Sequence, residues 1–141
     1  MATAIRPYQE RDRDSLVALW ASCDLTRAWN DPGRDIDRKL ANDAQNLLVI
    51  ERAGDIIGSV MVGYDGHRGW INYLAVHPSH QRQGFARQLT VEAERRLREV
   101  GCAKVNLQVR SSNARAHDFF SRIGYVPDAV VSLGKRLEVD E

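Results

Sequence analysis

Short apolar runs separated by turn residues fill the middle of the chain. They predict three strands, at 47–51, 56–64 and 70–76, joined by hairpin turns at 53–55 and 65–69. Three further segments have an extended or alternating pattern, and they lie at 5–6, 104–109 and 130–137. Together these segments predict one mixed sheet of about six to seven strands.

Apolar residues at spacings of three and four predict about four helices around this sheet. One helix carries its apolar face over 12–23 and would be capped by Asp12, and a short one would be capped by Asp35. The clearest helix covers 84–100, and another covers 113–123. Helices that alternate with strands indicate an α/β (α+β) fold, and we expect residues 1–141 to form one domain.

Composition and charge exclude several classes of function. The 141 residues include 20 Lys and Arg against 19 Asp and Glu, so the net charge of +1 offers no broad basic face for nucleic acid or a membrane surface. The apolar run at 47–50 is far too short to span a bilayer, and no signal-like apolar segment follows Met1, so we expect a cytoplasmic protein. Cys23 and Cys102 stand apart and are expected to be reduced thiols.

The segment from Leu74 to Arg87 carries the clearest chemical signal. A strand ends, a short loop turns, and a long helix begins at Gly84, where the first backbone N–H groups lack partners within the helix and attract anions. Arg82 and Arg87 add positive charge, and the absence of a side chain at Gly84 allows a phosphate to approach closely. The pattern lacks the spaced glycines of a dinucleotide fingerprint and the Gly-Lys-Ser/Thr of a Walker loop. An anion site and a helix that simply starts at a glycine both remain open at this point.

Two sequence blocks resemble the GNAT superfamily of acetyl-CoA-dependent N-acetyltransferases. Gln81-x-x-Gly84-x-Ala86, after a strand ending Leu-Ala-Val, resembles the pyrophosphate-binding signature of that family. The block 113–125, with Asn at its start and Gly-Tyr at its end, resembles the next helix of the family. The segments 29–32, 63–69 and 133–137 look like those of small bacterial acetyltransferases of the YpeA type.

This resemblance implies a GNAT-like fold that binds acetyl-CoA as co-substrate. The strands at 70–76 and 104–109 would run parallel and then splay apart, and the pantetheine arm would lie in the gap. A backbone N–H near Val76 would stabilise the oxyanion of the transition state. The cofactor-binding residues implied are Leu74, Ala75, Val76, Gln81, Arg82, Gln83, Gly84, Phe85, Ala86, Arg87, Asn113 and Phe120.

The chain departs from the family at the positions that commonly supply proton transfer. The helix position that is often a Tyr acid is Phe120, and a Glu that serves as base in ribosomal-protein alanine acetyltransferases is replaced by Gln108. We expect water to take the amine proton, passed along by Asn72, Tyr73 or the loop around His67. Two alternatives remain: an acceptor amine that is already neutral, or an acetyl-CoA-binding regulatory module with weak or no catalysis.

The acceptor is expected to be a primary amine on a small molecule or peptide. The superfamily often shapes its acceptor pocket with the loop that here contains Arg27, Trp29 and Asn30, and His67 could border the same site. For Trp29 the alternative is a plug at the edge of the core, and for His67 it is a plain turn. The His77/His80 pair is interrupted by a proline, so no metal site is expected. Exposed edge strands suggest a homodimer.

Overall fold

The computed structural model describes residues 3–140. Its five strands form one sheet in the order β1-β2-β3-β4-β5. Their bounds are β1 Thr3–Pro7, β2 Leu47–Arg52, β3 Asp55–Tyr64, β4 Gly69–Val76 and β5 Val105–Leu107. Neighbours among the first four strands are antiparallel, whereas β4 and β5 are parallel. The mixed sheet is confirmed, although it has fewer strands than the sequence predicts.

The described part of the chain has four α-helices, and three of them pack against the two faces of this sheet. They are α1 Arg13–Ser22, α2 Pro32–Asp43, α3 Phe85–Glu99 and α4 Ala114–Arg122. One buried cluster joins α3 to the sheet and includes Ile71, Leu89 and Leu97. A second joins α1 and α2 to the opposite face and includes Trp20 and Ile36. Among residues 3–140, no helix combines the length and apolarity that crossing a bilayer requires.

The predicted strand at 130–137 is wrong. The segment has no regular secondary structure, and Val130, Val131, Leu133 and Leu137 are between 76% and 91% exposed. A groove of about 1110 Å³ therefore lies open between β5, α4 and this segment. Gly134 interrupts the extended pattern. The charged C-terminal residues turn instead to α2, where Arg38 holds the buried carboxylate of Asp140.

Asp12 occupies the N-cap position of α1 as predicted, although its side chain does not cap the helix, whereas the predicted cap at Asp35 is wrong. The Asp12 carboxylate makes no cap bond to α1; it accepts a hydrogen bond from the Gln9 amide at 2.8 Å and pairs with Arg6. The helix α2 begins earlier than Asp35, because Asp31 caps it by accepting from the Gly33 and Arg34 amides and Pro32 occupies its first position. The Asp35 side chain is consequently free of the cap and points to other partners.

Candidate active site

A gap opens between β4 and β5 because the two strands differ in length. Their parallel pairing covers Gly69–Ile71 of β4 and ends at Leu107, whereas β4 continues to Val76. From Asn72 onward, the edge of β4 that faces away from β3 has no strand beside it in the described part of the chain. The parallel pair expected from the family resemblance is confirmed, with β5 shorter than the predicted strand at 104–109.

A bulge in β4 marks the point where the gap begins. Ser59 pairs with Ala75 and Met61 pairs with Asn72, so Tyr73 and Leu74 together face a single residue of β3. Tyr73 adopts a φ of 50°, an uncommon conformation for a residue with a side chain. The bulge changes the direction of the backbone at the residue that precedes Leu74.

Two buried side chains hold this bulge. The Ser59 hydroxyl donates to the Tyr73 carbonyl oxygen at 2.8 Å and accepts from Trp20 Nε1 at 2.9 Å. The Trp20 ring also stacks on the Tyr73 ring, with 3.8 Å between centroids and 16° between planes. A carbonyl displaced from the sheet ladder therefore has a partner, as buried backbone groups require.

The turn into α3 presents free backbone N–H groups to solvent. Arg82 and Gly84 have φ values of 64° and 85°, and alternation of this kind makes consecutive amides converge on an anion. In the described structure no acceptor is within hydrogen-bonding geometry of the amides at 82–87. A Cβ on Gly84 would meet no atom within 4 Å, so the space above the turn is open.

The side chains of the turn attach it to the rest of the fold. Gln81 Nε2 donates to the Val76 carbonyl at 3.1 Å, which ties the loop to the end of β4. The Gln83 side chain accepts from Arg52 at 3.3 Å, while Phe85 is buried and anchors the first turn of α3 in the core. The arrangement favours a negatively charged group at the α3 N-terminus.

The predicted residues on the α4 side have mostly structural contacts. The Asn113 side chain caps α4 by accepting from the Ala116 amide at 3.1 Å. Phe120 packs edge-to-face on Tyr125 at 5.6 Å, and its ring has no polar atom. Gln108 is exposed and donates to the Ser132 hydroxyl of the C-terminal segment. None of these three side chains offers a proton-transfer group to the gap.

The structure separates the predicted acceptor residues into two groups. Asn30 reaches β4, because its Nδ2 donates to the Tyr73 hydroxyl at 3.1 Å. Arg27 is held within its own loop by the carbonyls of Asp24 and Thr26, and Trp29 is 54% exposed rather than a plug in the core. His67 lies on the turn before β4, separated from the bulge by residues 69–72, about 13 Å of extended chain.

Two β4 residues are predicted to pass a proton. Asn72 is exposed, whereas Tyr73 is half-buried and its hydroxyl forms hydrogen bonds with two neighbouring side chains. The Tyr73 hydroxyl donates to Asp35 Oδ2 at 2.6 Å. Burial first, and the neighbouring Asp35 carboxylate second, raise the pKa of Tyr73 above its usual value. The phenol therefore keeps its proton at neutral pH.

Sequence reasoning missed Asp35 as a site residue. Its carboxylate also accepts from Asn30 Nδ2, and Arg38 Nη1 donates to its other oxygen at 3.0 Å. The signal that could have revealed it is Asp31-Pro32, a strong helix start that leaves the next acidic residue without a capping role.

The two cysteines are free thiols in the structure. Cys23 Sγ contacts the Val76 carbonyl at 3.2 Å, and burial raises the pKa of this thiol.

Comparisons with known proteins agree with this geometry. A model of the Acetyltransferase (GNAT) family matches residues 13–125. An acetyltransferase of Yersinia enterocolitica is 45% identical over 137 residues, which is 97% of each chain. The solved ribosomal-protein-alanine N-acetyltransferase of Brucella melitensis biovar Abortus superposes with a TM-score of 0.76 at 20% identity, over 96% of this chain and 100% of that one. AAC(6')-Iy, solved with the bisubstrate analog CoA-S-monomethyl-acetylneamine, gives a TM-score of 0.75 at 18% identity, over 96% and 99%.

Proposed function

Because the chain belongs to the GNAT acetyltransferase family, we propose that it transfers the acetyl group of acetyl-CoA to a primary amine by direct attack in a ternary complex. The observation that carries the proposal is the combination of an unpaired β4 edge with a turn of free amides at its end. The first can receive an extended thiol arm, and the second can receive a diphosphate. Residues 1–141 would act together as one acetyltransferase domain.

The pantetheine arm would lie along the free edge of β4. Its two amides would form hydrogen bonds with the backbone of Leu74, Ala75 and Val76, as an added strand does at an open sheet edge. The thioester carbonyl would then lie near the bulge, where a backbone N–H would stabilise the oxyanion. Loss of one such donor costs about 10²–10³ in rate.

The diphosphate would bind at the turn into α3, between Gln81 and Arg87. Backbone amides would provide most of the contacts, and Arg82 and Arg87 would add charge. Gln83, Gly84, Phe85 and Ala86 complete this segment through their backbone atoms. Asn113 and Phe120 would flank the arm from the α4 side.

Proton transfer would involve β4 rather than α4. Phe120 and Gln108 cannot act as acid or base, so we assign the amine proton to water or to the polar groups at Asn72 and Tyr73. The loop at Arg27, Trp29 and Asn30 would border the acceptor, as the hydrogen bond from Asn30 to Tyr73 supports. His67 would lie at the outer margin of this pocket.

Calorimetry with coenzyme A and acetyl-CoA tests cofactor binding, and Gly84→Ala with Gly54→Ala forms a matched pair. Both glycines have a φ of 85° and space for a Cβ, so both variants lose about 1–2 kcal/mol of stability from backbone strain. Only the Cβ at Gly84 would stand where a phosphate approaches. We expect Gly84→Ala to weaken binding of coenzyme A by about tenfold or more, and Gly54→Ala to leave it unchanged.

A thiol-release assay with a panel of peptide N-termini, lysine, polyamines and aminoglycosides tests the transfer itself. We expect amine-dependent release of coenzyme A with at least one class. Absence of any heat with coenzyme A would overturn the proposal altogether. Tight binding without amine-dependent thiol from any acceptor would instead favour the regulatory module, which the lack of an acid at Phe120 and a base at Gln108 makes the second candidate.

A homodimer is also proposed, on the evidence of exposed apolar residues beside an open edge. Val130, Val131 and Leu133 are 76% or more exposed next to β5, which ends the sheet. An uncovered edge with apolar neighbours readily pairs with another chain. Analytical ultracentrifugation is expected to give a dimer, and a monomer at about 100 μM would contradict it.

A further inference from the structure

A tyrosine–carboxylate pair links β4, just after its pairing with β5 ends, to the helix α2. The Tyr73 hydroxyl donates to Asp35 at 2.6 Å, although the two residues are 38 positions apart in the chain. Tyr73 immediately precedes Leu74, and the β4–β5 pairing has already ended at Ile71. Tyr73 therefore adjoins, along the chain, the segment proposed to carry the thioester.

The surrounding structure holds this pair in place at some energetic cost. A φ of 50° at Tyr73 costs about 1–2 kcal/mol relative to a strand conformation. The bond from Ser59 and the stack on Trp20 maintain it. On the other side, Asn30 Nδ2 donates to both members of the pair, which sets their relative orientation. Backbone strain that is maintained by several contacts is typical of functional positions.

The charged groups nearest the pair come from α2 and from the C-terminal segment. The α2 helix contributes Arg38, which donates to Asp35 at 3.0 Å, and the C-terminal segment contributes Asp140, which Arg38 also holds at 2.6 Å. Around Asp140, Arg34 and Arg136 lie within 3.7 Å. The α1 helix packs against this side with Trp20 and with Cys23, which is neutral because burial raises its thiol pKa. The α1–α2 loop contributes the uncharged Asn30.

The pair remains accessible to a reactant. The Asp35 side chain is 20% exposed and Tyr73 is half-buried, so neither is sealed in the core. The phenol directs its own hydrogen to Asp35, and its oxygen accepts from Asn30 Nδ2 at 3.1 Å. An N–H of an amine approaching the thioester would take the place of Asn30 as the donor to this oxygen.

We propose that Tyr73 and Asp35 form the proton relay of acetyl transfer, an inference that rests on the function proposed above. As the amine nitrogen forms its bond to the thioester carbon, its N–H proton moves to the Tyr73 oxygen. The phenol proton moves at the same time to the Asp35 carboxylate. The C–S bond then breaks with its electron pair on sulfur, the thiolate takes a proton from water, and Asp35 returns its proton to solvent.

Other described groups are less suited to this task. His67 is on the turn before β4, and His77 lies at the far end of β4, where its ring caps a short turn by accepting from the Ser79 amide. Phe120 and Gln108 cannot accept a proton at neutral pH. The relay thus accounts for a chain that has no acid or base at those two family positions.

The test uses Tyr73→Phe and Asp35→Asn, with Tyr8→Phe as the matched control. Tyr73→Phe keeps the ring that stacks on Trp20 and removes only the hydroxyl. Tyr8→Phe also removes a hydroxyl bonded to a carboxylate, that of Glu10 at 3.3 Å, but it does so away from the gap. The probe is acetyl-CoA with whichever amine of the panel gives the fastest thiol release. The value of kcat/KM for the amine is measured from about pH 6 to about pH 10, a window that includes the roughly neutral operating pH of a general base.

We expect Tyr73→Phe and Asp35→Asn to lower kcat/KM by about 10² or more near neutral pH, with the affinity for coenzyme A unchanged. Their rates should continue to rise with pH, because hydroxide and the free amine replace the relay, whereas the wild type and Tyr8→Phe level off. A conservative Asp35→Glu should recover part of the rate.

Two results would overturn the relay. If the wild type acetylates an amine and the variants have its pH profile, whatever their rates, Tyr73 and Asp35 are structural only and the proposed function stands. If the wild type binds coenzyme A but acetylates no amine, the transfer itself is refuted and the relay with it. A variant that fails to fold is identified by its melting temperature, and the second variant then decides.

Discussion

Replacement of Ser59 by alanine tests the idea that one buried hydroxyl holds the β4 bulge. Ser59 is completely buried, accepts from Trp20 Nε1 at 2.9 Å and donates to the Tyr73 carbonyl at 2.8 Å. Ser59→Ala leaves an indole N–H and a backbone carbonyl without partners in the core. Each such group costs about 1–3 kcal/mol, so we expect a loss of about 3 kcal/mol in the free energy of unfolding.

Urea unfolding and calorimetry measure this loss. A chain of this size loses about 3–5 °C of melting temperature per kcal/mol, so the variant should melt about 10–15 °C lower. Ser22→Ala is the control, because its exposed hydroxyl bonds the Leu19 carbonyl at 2.7 Å and its removal should cost less than about 0.5 kcal/mol.

A double-mutant cycle with Trp20→Phe separates the two hydrogen bonds. Once the indole N–H is gone, Ser59→Ala should cost about 1 kcal/mol less than it does in the wild type. A loss below about 1 kcal/mol for Ser59→Ala alone, or strict additivity in the cycle, would refute the claim that Ser59 links α1 to the bulge.

Three further predictions concern α3 and the C-terminal segment. Gly69→Ala places a Cβ 2.8 Å from Cys102 Sγ, so it should lower the free energy of unfolding by about 1–3 kcal/mol in urea, whereas Gly134→Ala, with open space, should not. Arg95 and Arg96 lower the pKa of Glu92 from an ordinary 4.5 to about 2. The contribution of the Glu92 carboxylate to the free energy of unfolding is therefore complete above pH 4.5 and is lost as the pH falls toward 2. In Glu92→Gln the free energy of unfolding should consequently fall less steeply between these two pH values. Asp140→Asn weakens the attachment of the C-terminal segment to Arg38 and should speed tryptic cleavage after 135 and 136; equal cleavage rates would show that this ion pair does not hold the segment.

Much of the fold could be predicted because its signals are local. Short apolar runs between turn residues identify β2, β3 and β4, and the apolar stripe identifies α3, since each signal lies within one element. The turn into α3, which is proposed to bind a diphosphate, is also a local feature, because it depends on backbone amides and on a glycine that tolerates a φ of 85°. The family resemblance at Gln81, Gly84 and Ala86 depends on this same segment.

The predicted strand at 130–137 shows where local pattern is insufficient. Its residues have strand-like composition, but a strand forms only where a neighbouring strand pairs with it. In the structure the ion pairs of Asp140 and Glu138 with Arg38 draw this segment toward α2 instead. Pairing of this kind depends on contacts about 100 residues apart in the chain, which no periodicity records.

Local patterns in the sequence are enough to predict β2, β3, β4 and α3, together with the turn into α3 that is proposed to bind a diphosphate. The packed fold was needed to show that Tyr73 bulges out of β4 and that its hydroxyl meets Asp35 of α2. The physical reason is that periodicity reports which face of an element is apolar, whereas the meeting of two polar side chains depends on strand register and on how a helix packs against the sheet.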